Sequence, residues 1–512
     1  MNKLAWLEEP TLTFGHDQQL EDPRDGLTLF GPRQDVSPYG INYGLVGTEA
    51  GIQRFYRWLN SVTGFIAHPQ SSSRDLWIPF PGFEEVFHVP FSHKALYERK
   101  VNDDKLKEIL TKEGDPYRRV SKAVDLYEKE IADIDKNADE NLSLWYVIAP
   151  ESLYLKCRPK STLDDPNVNV GGRTIKLRKQ IAKQAKGGQE FLFKEDEKDY
   201  YAYEFDNDFR LQLKAKRLLS NARFPIQILR ESTLTPDDFL DKYGARKRDL
   251  QPESQVAWNL LSTTYYKAGG KPWKLSQVRK GVCYLGMVFK QLNEVQGKGS
   301  SCCAAQMFLD SGDGVVFKGA VGPWKSGERE EYHLDTEAAE DIIARAVEAY
   351  KDLSKTGEKP KEIFIHGRTY LNDNEWKGFS SVSAEGIKTV GVRIRHSYLR
   401  VFRPGKWPVL RGTTFIESPT KGYLWTTGFV PRLRTDPYHG FPRPLSIEVC
   451  RGEEDILTVL KDIYALTKLN YNSCFFGDGE PITLKFADMI GDILTAGPIK
   501  KDEAPLPFKF YI

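Results

Sequence analysis

From Leu142 onward, compact apolar runs alternate with stretches whose apolar residues recur at helical spacing. The run LSLWYVIAP is short, continuous and ended by a turn signal, which predicts a buried strand. A helical pattern covers 209–220, and RFPIQIL predicts a second buried strand. Another helix spans 255–266, until Ala268-Gly269-Gly270 stops it. Strands alternating with helices imply an α/β layer on a largely parallel sheet, which binds ligands at the carboxyl ends of its strands. Past Lys280 the pattern changes. VCYLGMVFKQ and CCAAQMFLDSGDGVVFKGAVG predict antiparallel strands joined by the turn Ser311-Gly312-Asp313-Gly314. An amphipathic helix over 336–353, strand EIFIHGR, strands TVGVRIR, GTTFIES, YLWTTG and PLSIEVC, and helix EDILTVLKDIYALTKLN follow. Hairpins followed by a helix and a strand suggest an RNase H-like α/β domain.

The first 140 residues are less regular. DGLTLFGP and NYGLVGTEAG read as turn-rich strands, 51–61 as a helix and 115–135 as a charged helix. They predict a connecting or wrapping layer more than an autonomous core. The expected division is therefore 1–140, 141–280 and 281–512, in keeping with a chain of 512 residues.

Composition adds mostly exclusions. Lys and Arg number 73 against 71 Asp and Glu, so any positive groove must be local. The start, MNKLAWLEEPTLTFG, lacks the charged and apolar regions of a secretory signal, and no apolar run is long enough to span a bilayer. Cys157, Cys283, Cys302, Cys303, Cys450 and Cys474 are scattered without a CxxC, which predicts reduced thiols in a cytoplasmic protein over a zinc or redox role.

Candidate chemistry sits in the middle third. Arg210 and Lys214 share a helix face at i,i+4 spacing, Lys267 ends its helix, and Gln227 places an amide inside an apolar strand. Each alone reads as an ordinary surface or structural residue. In order, DFRLQLKAKRLL, FPIQILRESTL and WNLLSTTYYKAGGKPWKL resemble the guide 5′-phosphate pocket of Argonaute MID domains. The resemblance maps that pocket onto Arg210, Lys214, Gln227 and Lys267, with Asn259 on the same helix as Lys267. A terminal phosphate carries nearly two charges and strong acceptors, so converging Lys and Arg suit it. The resemblance also implies Mg2+ at the guide end, held by the terminal carboxylate of Ile512 with Gln227.

The resemblance extends along nearly the whole chain, through DGLTLFGP, GVCYLGMVFK, EIFIHGR, LTKLNYNSCFFGDGEPITLKFADMIGDIL and the terminal FKFYI, and is to short prokaryotic Argonautes. It implies a Rossmann-like MID domain over 141–280 and an RNase H-like PIWI domain over 281–512, without N or PAZ domains. A slicing PIWI domain needs carboxylates that hold two Mg2+ ions about 3.5–4 Å apart. Here Met287 and Val288, then Gly367 and Arg368, then Leu445 and Ser446 occupy the expected places. Asp310 and Asp313 belong to a turn, where Asp is favoured for local hydrogen bonds, and Glu448 alternates within a strand. The expectation is a domain that does not cut.

By resemblance, such a chain holds a 5′-phosphorylated small guide RNA and detects complementary single-stranded DNA of plasmids or phage. It pairs with an APAZ-containing effector protein, carrying a TIR or sirtuin-like NAD hydrolase or a nuclease, in abortive-infection immunity. The heterodimer oligomerises on target binding. Arg393, Arg395, Arg432 and Arg434 are candidates for the duplex channel. Two other readings stay open: an active guide-directed DNA endonuclease, and a guide-independent RNase H-like nucleic-acid-binding or structural protein.

Overall fold

The computed structural model describes residues 3–34, 40–70, 75–137, 141–158, 208–220, 222–277, 279–291, 300–309, 314–323, 333–354, 357–401, 404–405, 408–437, 441–496 and 506–512. From 291 to 323 only backbone is described, so the side chains of Cys302 and Cys303 are outside it. Asp310 and Asp313 also lie outside the described residues.

A four-stranded parallel sheet forms the first layer, in the order Tyr97–Lys100, Tyr43–Gly47, Leu144–Ala149, Ile226–Arg230. The run LWYVIA is buried throughout because both faces are covered. Trp145 and Val147 pack with residues of helices Asp103–Lys112 and Pro116–Asp135. Tyr146 and Ile148 belong to the other side, with helices Glu49–Val62 and Glu253–Lys267. The Tyr146 hydroxyl is satisfied there by Thr264 at 2.7 Å.

This arrangement changes the reading of residues 1–140. They are not a wrapping layer, since NYGLVG supplies an inner strand and 97–100 an edge strand of the same sheet. The 140/141 position does not separate two cores. DGLTLFGP is also not a strand: it lies in helix Pro23–Phe30 and the turn after it. Asp22 caps that helix by accepting from the Arg24 amide at 2.9 Å, and Gly31 at φ 69° ends it.

The second layer is a ten-stranded mixed sheet. Its spatial order is Lys3–Trp6, Thr413–Ser418, Lys421–Leu424, Leu445–Arg451, Lys388–His396, Glu362–Gly367, Val282–Gln291, Ser300–Leu309, Gly314–Pro323 and Leu506–Pro507. Glu362–Gly367 runs parallel to both its neighbours, so three strands share one carboxyl edge. Helix Thr336–Leu353 covers one face, and helices Ile456–Leu466 and Ile482–Leu494 the other. The last of these lies so close to the sheet that a Cβ on Gly286 would strike the Thr483 carbonyl.

The two ends of the chain tie the layers together. Strand Lys3–Trp6 adds to the large sheet, and Glu9 just after it is buried among cations. Its carboxylate accepts from Tyr464 at 2.6 Å, Lys468 at 3.0 Å and Arg411 at 3.1 Å. At the other end Phe508, Tyr511 and Ile512 are buried, with Phe508 against Phe486 at 4.2 Å between ring centroids. The described Cys157, Cys283, Cys450 and Cys474 are free thiols, all but Cys450 buried. No helix among the described residues is long and apolar enough to cross a membrane.

Candidate functional site

Helix Phe209–Leu219 begins at Asp208, whose side chain accepts from the Arg210 amide at 2.8 Å. The same carboxylate holds the Arg210 guanidinium at 2.7 and 3.1 Å, and that side chain remains half exposed. One turn on, Lys214 has a partly exposed stem, but its ammonium sits deep in the protein and donates to the Tyr511 carbonyl at 3.1 Å. Lys267, at the end of helix Glu253–Lys267, is buried outright. It donates to the Ile226 carbonyl at 2.7 Å and to Gln227 Oε1 at 2.6 Å. The strand amide is thereby satisfied by an ammonium.

Lys214, Gln227, Lys267 and the last two residues thus converge, although they are far apart in the chain. Burial, then the Arg210 charge, pushes the Lys214 ammonium down to about 8. Burial, then the charge of Lys214, pushes Lys267 well below its usual range. Their hydrogen-bond acceptors are neutral, and among the described residues no carboxylate forms an ion pair with either. A buried charge without a counter-charge is costly, so the pair is held in a state that an incoming anion relieves.

Two expected members behave differently. Asn259 lies two turns back along the Lys267 helix, on the order of 12 Å away. Its amide is committed to Gln251, Gln255 and the Cys474 amide, each at 2.9 Å, so it buttresses the fold. Ile512 is buried beside the site as its apolar character implied, yet the residues present do not fit a resident Mg2+. Gln227 Oε1 already faces the Lys267 ammonium, so it is not free to turn toward a cation. Among the described residues no group of three or more His, Cys, Asp or Glu is placed to hold a metal.

A cavity of about 220 Å3 opens beside Arg210 at the carboxyl ends of Leu144–Ala149 and Ile226–Arg230. Tyr154 lies in its wall, with the Arg230 guanidinium 3.6 Å and that of Arg210 5.7 Å from its ring centroid. Arg230 is paired with Glu151 at 2.7 Å, whereas Arg248, among the described residues, donates to the hydroxyls of Ser232 and Thr233 at 2.7 and 3.0 Å. Burial, then Arg230, lowers the Arg248 pKa. Sequence reading missed Tyr154, Arg230 and Arg248. For Arg230 the signal was positional, since it directly follows the strand predicted at RFPIQIL.

Farther away, Arg393 stacks on Tyr370 at 3.9 Å and lies 3.6 Å from Glu448, while Arg395 is exposed on the same strand. Arg432 is paired with Asp25, and Arg434 is 81% exposed in a left-handed turn at φ 52°. Val288 is buried in the sheet, Gly367 ends its strand, and Ser446 faces Arg395 across the strand pair.

No family profile matches the chain, and no curated protein sequence does. Solved structures do match. The chain is similar to Clostridium butyricum Argonaute bound to a guide DNA and a 19-mer target DNA, at TM-score 0.57 and 16% identity over 97% of this chain and 54% of that one. It is similar to Drosophila Piwi at TM-score 0.57 and 12% identity, over 99% and 56%. It is similar to Aa-Ago with externally bound siRNA at TM-score 0.54 and 14% identity, over 100% and 56%. The fold is therefore Argonaute-like, and the chain spans about half the length of the structures it matches.

Proposed function

We propose that this chain anchors the 5′ phosphate of a small guide RNA and presents the guide for pairing with complementary single-stranded DNA, without cutting it. The observation that carries this reading is the pair of enclosed ammoniums, Lys214 and Lys267, held against neutral acceptors beside Gln227. A phosphate entering there gains charge-assisted hydrogen bonds and restores the charge balance. Arg210 and the Tyr154 cavity adjoin it and offer stacking and cationic groups to the first nucleotide. The Argonaute-like fold supports the reading, as does the guide and target DNA bound by the Clostridium butyricum protein. Base pairing then supplies sequence specificity, and the protein fixes register and backbone.

The absence of carboxylates at Val288, Gly367 and Ser446 is the reason to read the chain as a sensor. A duplex that is held and not cut persists as a signal. That signal would pass to an APAZ-effector subunit, with a TIR or sirtuin-like NAD hydrolase as the leading form. Co-expression with the neighbouring gene's product, followed by an NAD assay with guide and target, tests this extension.

Binding of RNA oligonucleotides with 5′-phosphate or 5′-hydroxyl ends tests the core claim. Lys214→Ala and Lys267→Ala should each cost the 5′-phosphorylated RNA about 1.5–3 kcal/mol, a charge-assisted contact apiece, and leave the 5′-hydroxyl RNA unaffected. Equal affinity of the native chain for both ends would overturn the anchor. Metal-dependent target cleavage would overturn the inactive assignment.

A further inference from the structure

The carboxyl edge shared by strands Val282–Gln291, Glu362–Gly367 and Lys388–His396 carries a line of alternating basic and acidic side chains outside the lysine site. His396 Nε2 lies 2.7 Å from Glu480. Glu480 lies 3.4 Å from Arg368, which also pairs with Asp488. Asp488 lies 3.2 Å from Lys290, and Lys290 2.9 Å from Asp492. The strand ends supply the basic groups, while helix Ile482–Leu494 and the turn before it supply the acids. Asp488 and Asp492 are spaced i,i+4, so one helix face presents both.

Exposure decides what such a ladder does. Its six side chains are between 23% and 58% exposed. Ion pairs of that kind hold by little, about 0–1 kcal/mol each. The buried Glu9–Lys468 pair in the same layer is of the opposite kind, at 10% and 0% exposure, and fixes the fold. The ladder also sits where parallel sheets expose ligand-binding edges. Its cations are within reach of an extended polyanion, and carboxylates of the same chain already occupy them.

We propose that this ladder is a displaceable latch on a nucleic-acid backbone, in which phosphates passing the strand ends take Arg368 and Lys290 away from Glu480, Asp488 and Asp492. The inference rests on the nucleic-acid reading above and adds an internal competitor to it. The carboxylates hold the two cations in place while the edge is empty. They also lower duplex affinity, because each phosphate contact must first break a native pair. The partner is a polyphosphate backbone, read without regard to base.

The test is fluorescence anisotropy of the full chain with a 5′-phosphorylated RNA annealed to complementary DNA, over a salt series, with melting temperatures recorded alongside. Arg368→Ala and Lys290→Ala should weaken binding several-fold, each reducing the slope of log affinity against log salt by about 1. Glu480→Gln and Asp488→Asn should do the reverse and tighten binding several-fold, because they free the cations. Should Asp488→Asn melt early, Asp492→Asn at the exposed end of the ladder gives the same readout. Unchanged or weaker binding in the acid variants overturns the latch and leaves a structural ladder. A native chain that prefers 5′-phosphate yet ignores every one of these substitutions overturns the latch alone. A native chain that binds no such duplex overturns both.

Discussion

A lysine is normally a solvated cation, and the two that define the candidate site are not. Lys267 takes an amide oxygen and a carbonyl oxygen as its partners, and Lys214 takes a carbonyl. The consequence can be read against pH. Lys214 loses its proton near 8 in the empty fold but only near 10.5 when unfolded. An anion at the site favours the charged form, so 5′-phosphate binding takes up protons as pH rises through 8. The ratio of 5′-phosphate to 5′-hydroxyl affinity should therefore fall between pH 7 and pH 9, and Lys214→Arg, which stays charged, should flatten that fall. The same shift acts on stability with a definite sign. Below pH 8 the empty chain carries the full cost of the buried charge. Between about 8 and 10.5 the unfolded state holds more protons, so this lysine's contribution to stability rises with pH. An affinity ratio that stays level from pH 7 to 9 would contradict the assignment.

At the scale of elements, much of the fold was legible because local pattern and tertiary burial agree. The helix at 336–353 and the strand EIFIHG are found as periodicity places them. LWYVIA is a doubly covered parallel strand, which an unbroken apolar run signals. DGLTLFGP was misread, because its apolar residues looked strand-like while the Asp-Pro start and Gly stop around it are helix punctuation. What no local pattern could show is that Tyr43–Gly47 pairs with Leu144–Ala149, far along the chain. The site was legible to the same extent. Residue types in order pointed to Lys214, Gln227 and Lys267, while Asn259 shares only the Lys267 helix and lies two turns from its end, and Tyr154 became visible only with the cavity. The close approach of helix Ile482–Leu494 at Gly286 was equally hidden. It carries its own consequence, since a methyl group there meets backbone that has no room to yield. Gly286→Ala should destabilise the chain by about 1–3 kcal/mol, as overpacking does, with the loss read from denaturant unfolding. An unchanged midpoint would show that the helix can shift outward at no cost.

For the whole molecule, the question is whether the two larger sheets behave as one body. The proposed guide anchor in the first layer and the charged edge in the second can serve one function only if their separation is fixed. The contacts that fix it include one apolar core shared by both sheets and the stacking of Tyr266 on Tyr471, and the ends of the chain add to them. Tyr511 meets Lys214 in the first layer, while Phe508 packs on Phe486 of the second. Strand Lys3–Trp6 belongs to the large sheet, whereas the chain after it passes through a small three-stranded sheet and reaches the four-stranded one at Tyr43–Gly47. Glu9 is the pin of this second tie. Burial opposes its charge, but Arg411, Lys468 and the Tyr464 hydroxyl outweigh that and hold its carboxyl below the usual range. Removing one partner of such a cluster strands the others as buried charges, which costs more than the pairs themselves contribute. Glu9→Ala should accordingly destabilise the chain by about 3–5 kcal/mol. Because one apolar core spans both sheets, the loss is expected as a single unfolding transition at lower temperature. Calorimetry separates the outcomes. One transition shifted to lower temperature would place Glu9 within a single cooperative core, whereas two would show that the layers are distinct folding units held in register by the termini. In the second case 5′-phosphate binding, which draws on both Lys214 and the C-terminal residues beside it, should raise the melting temperature of both transitions and bring them together.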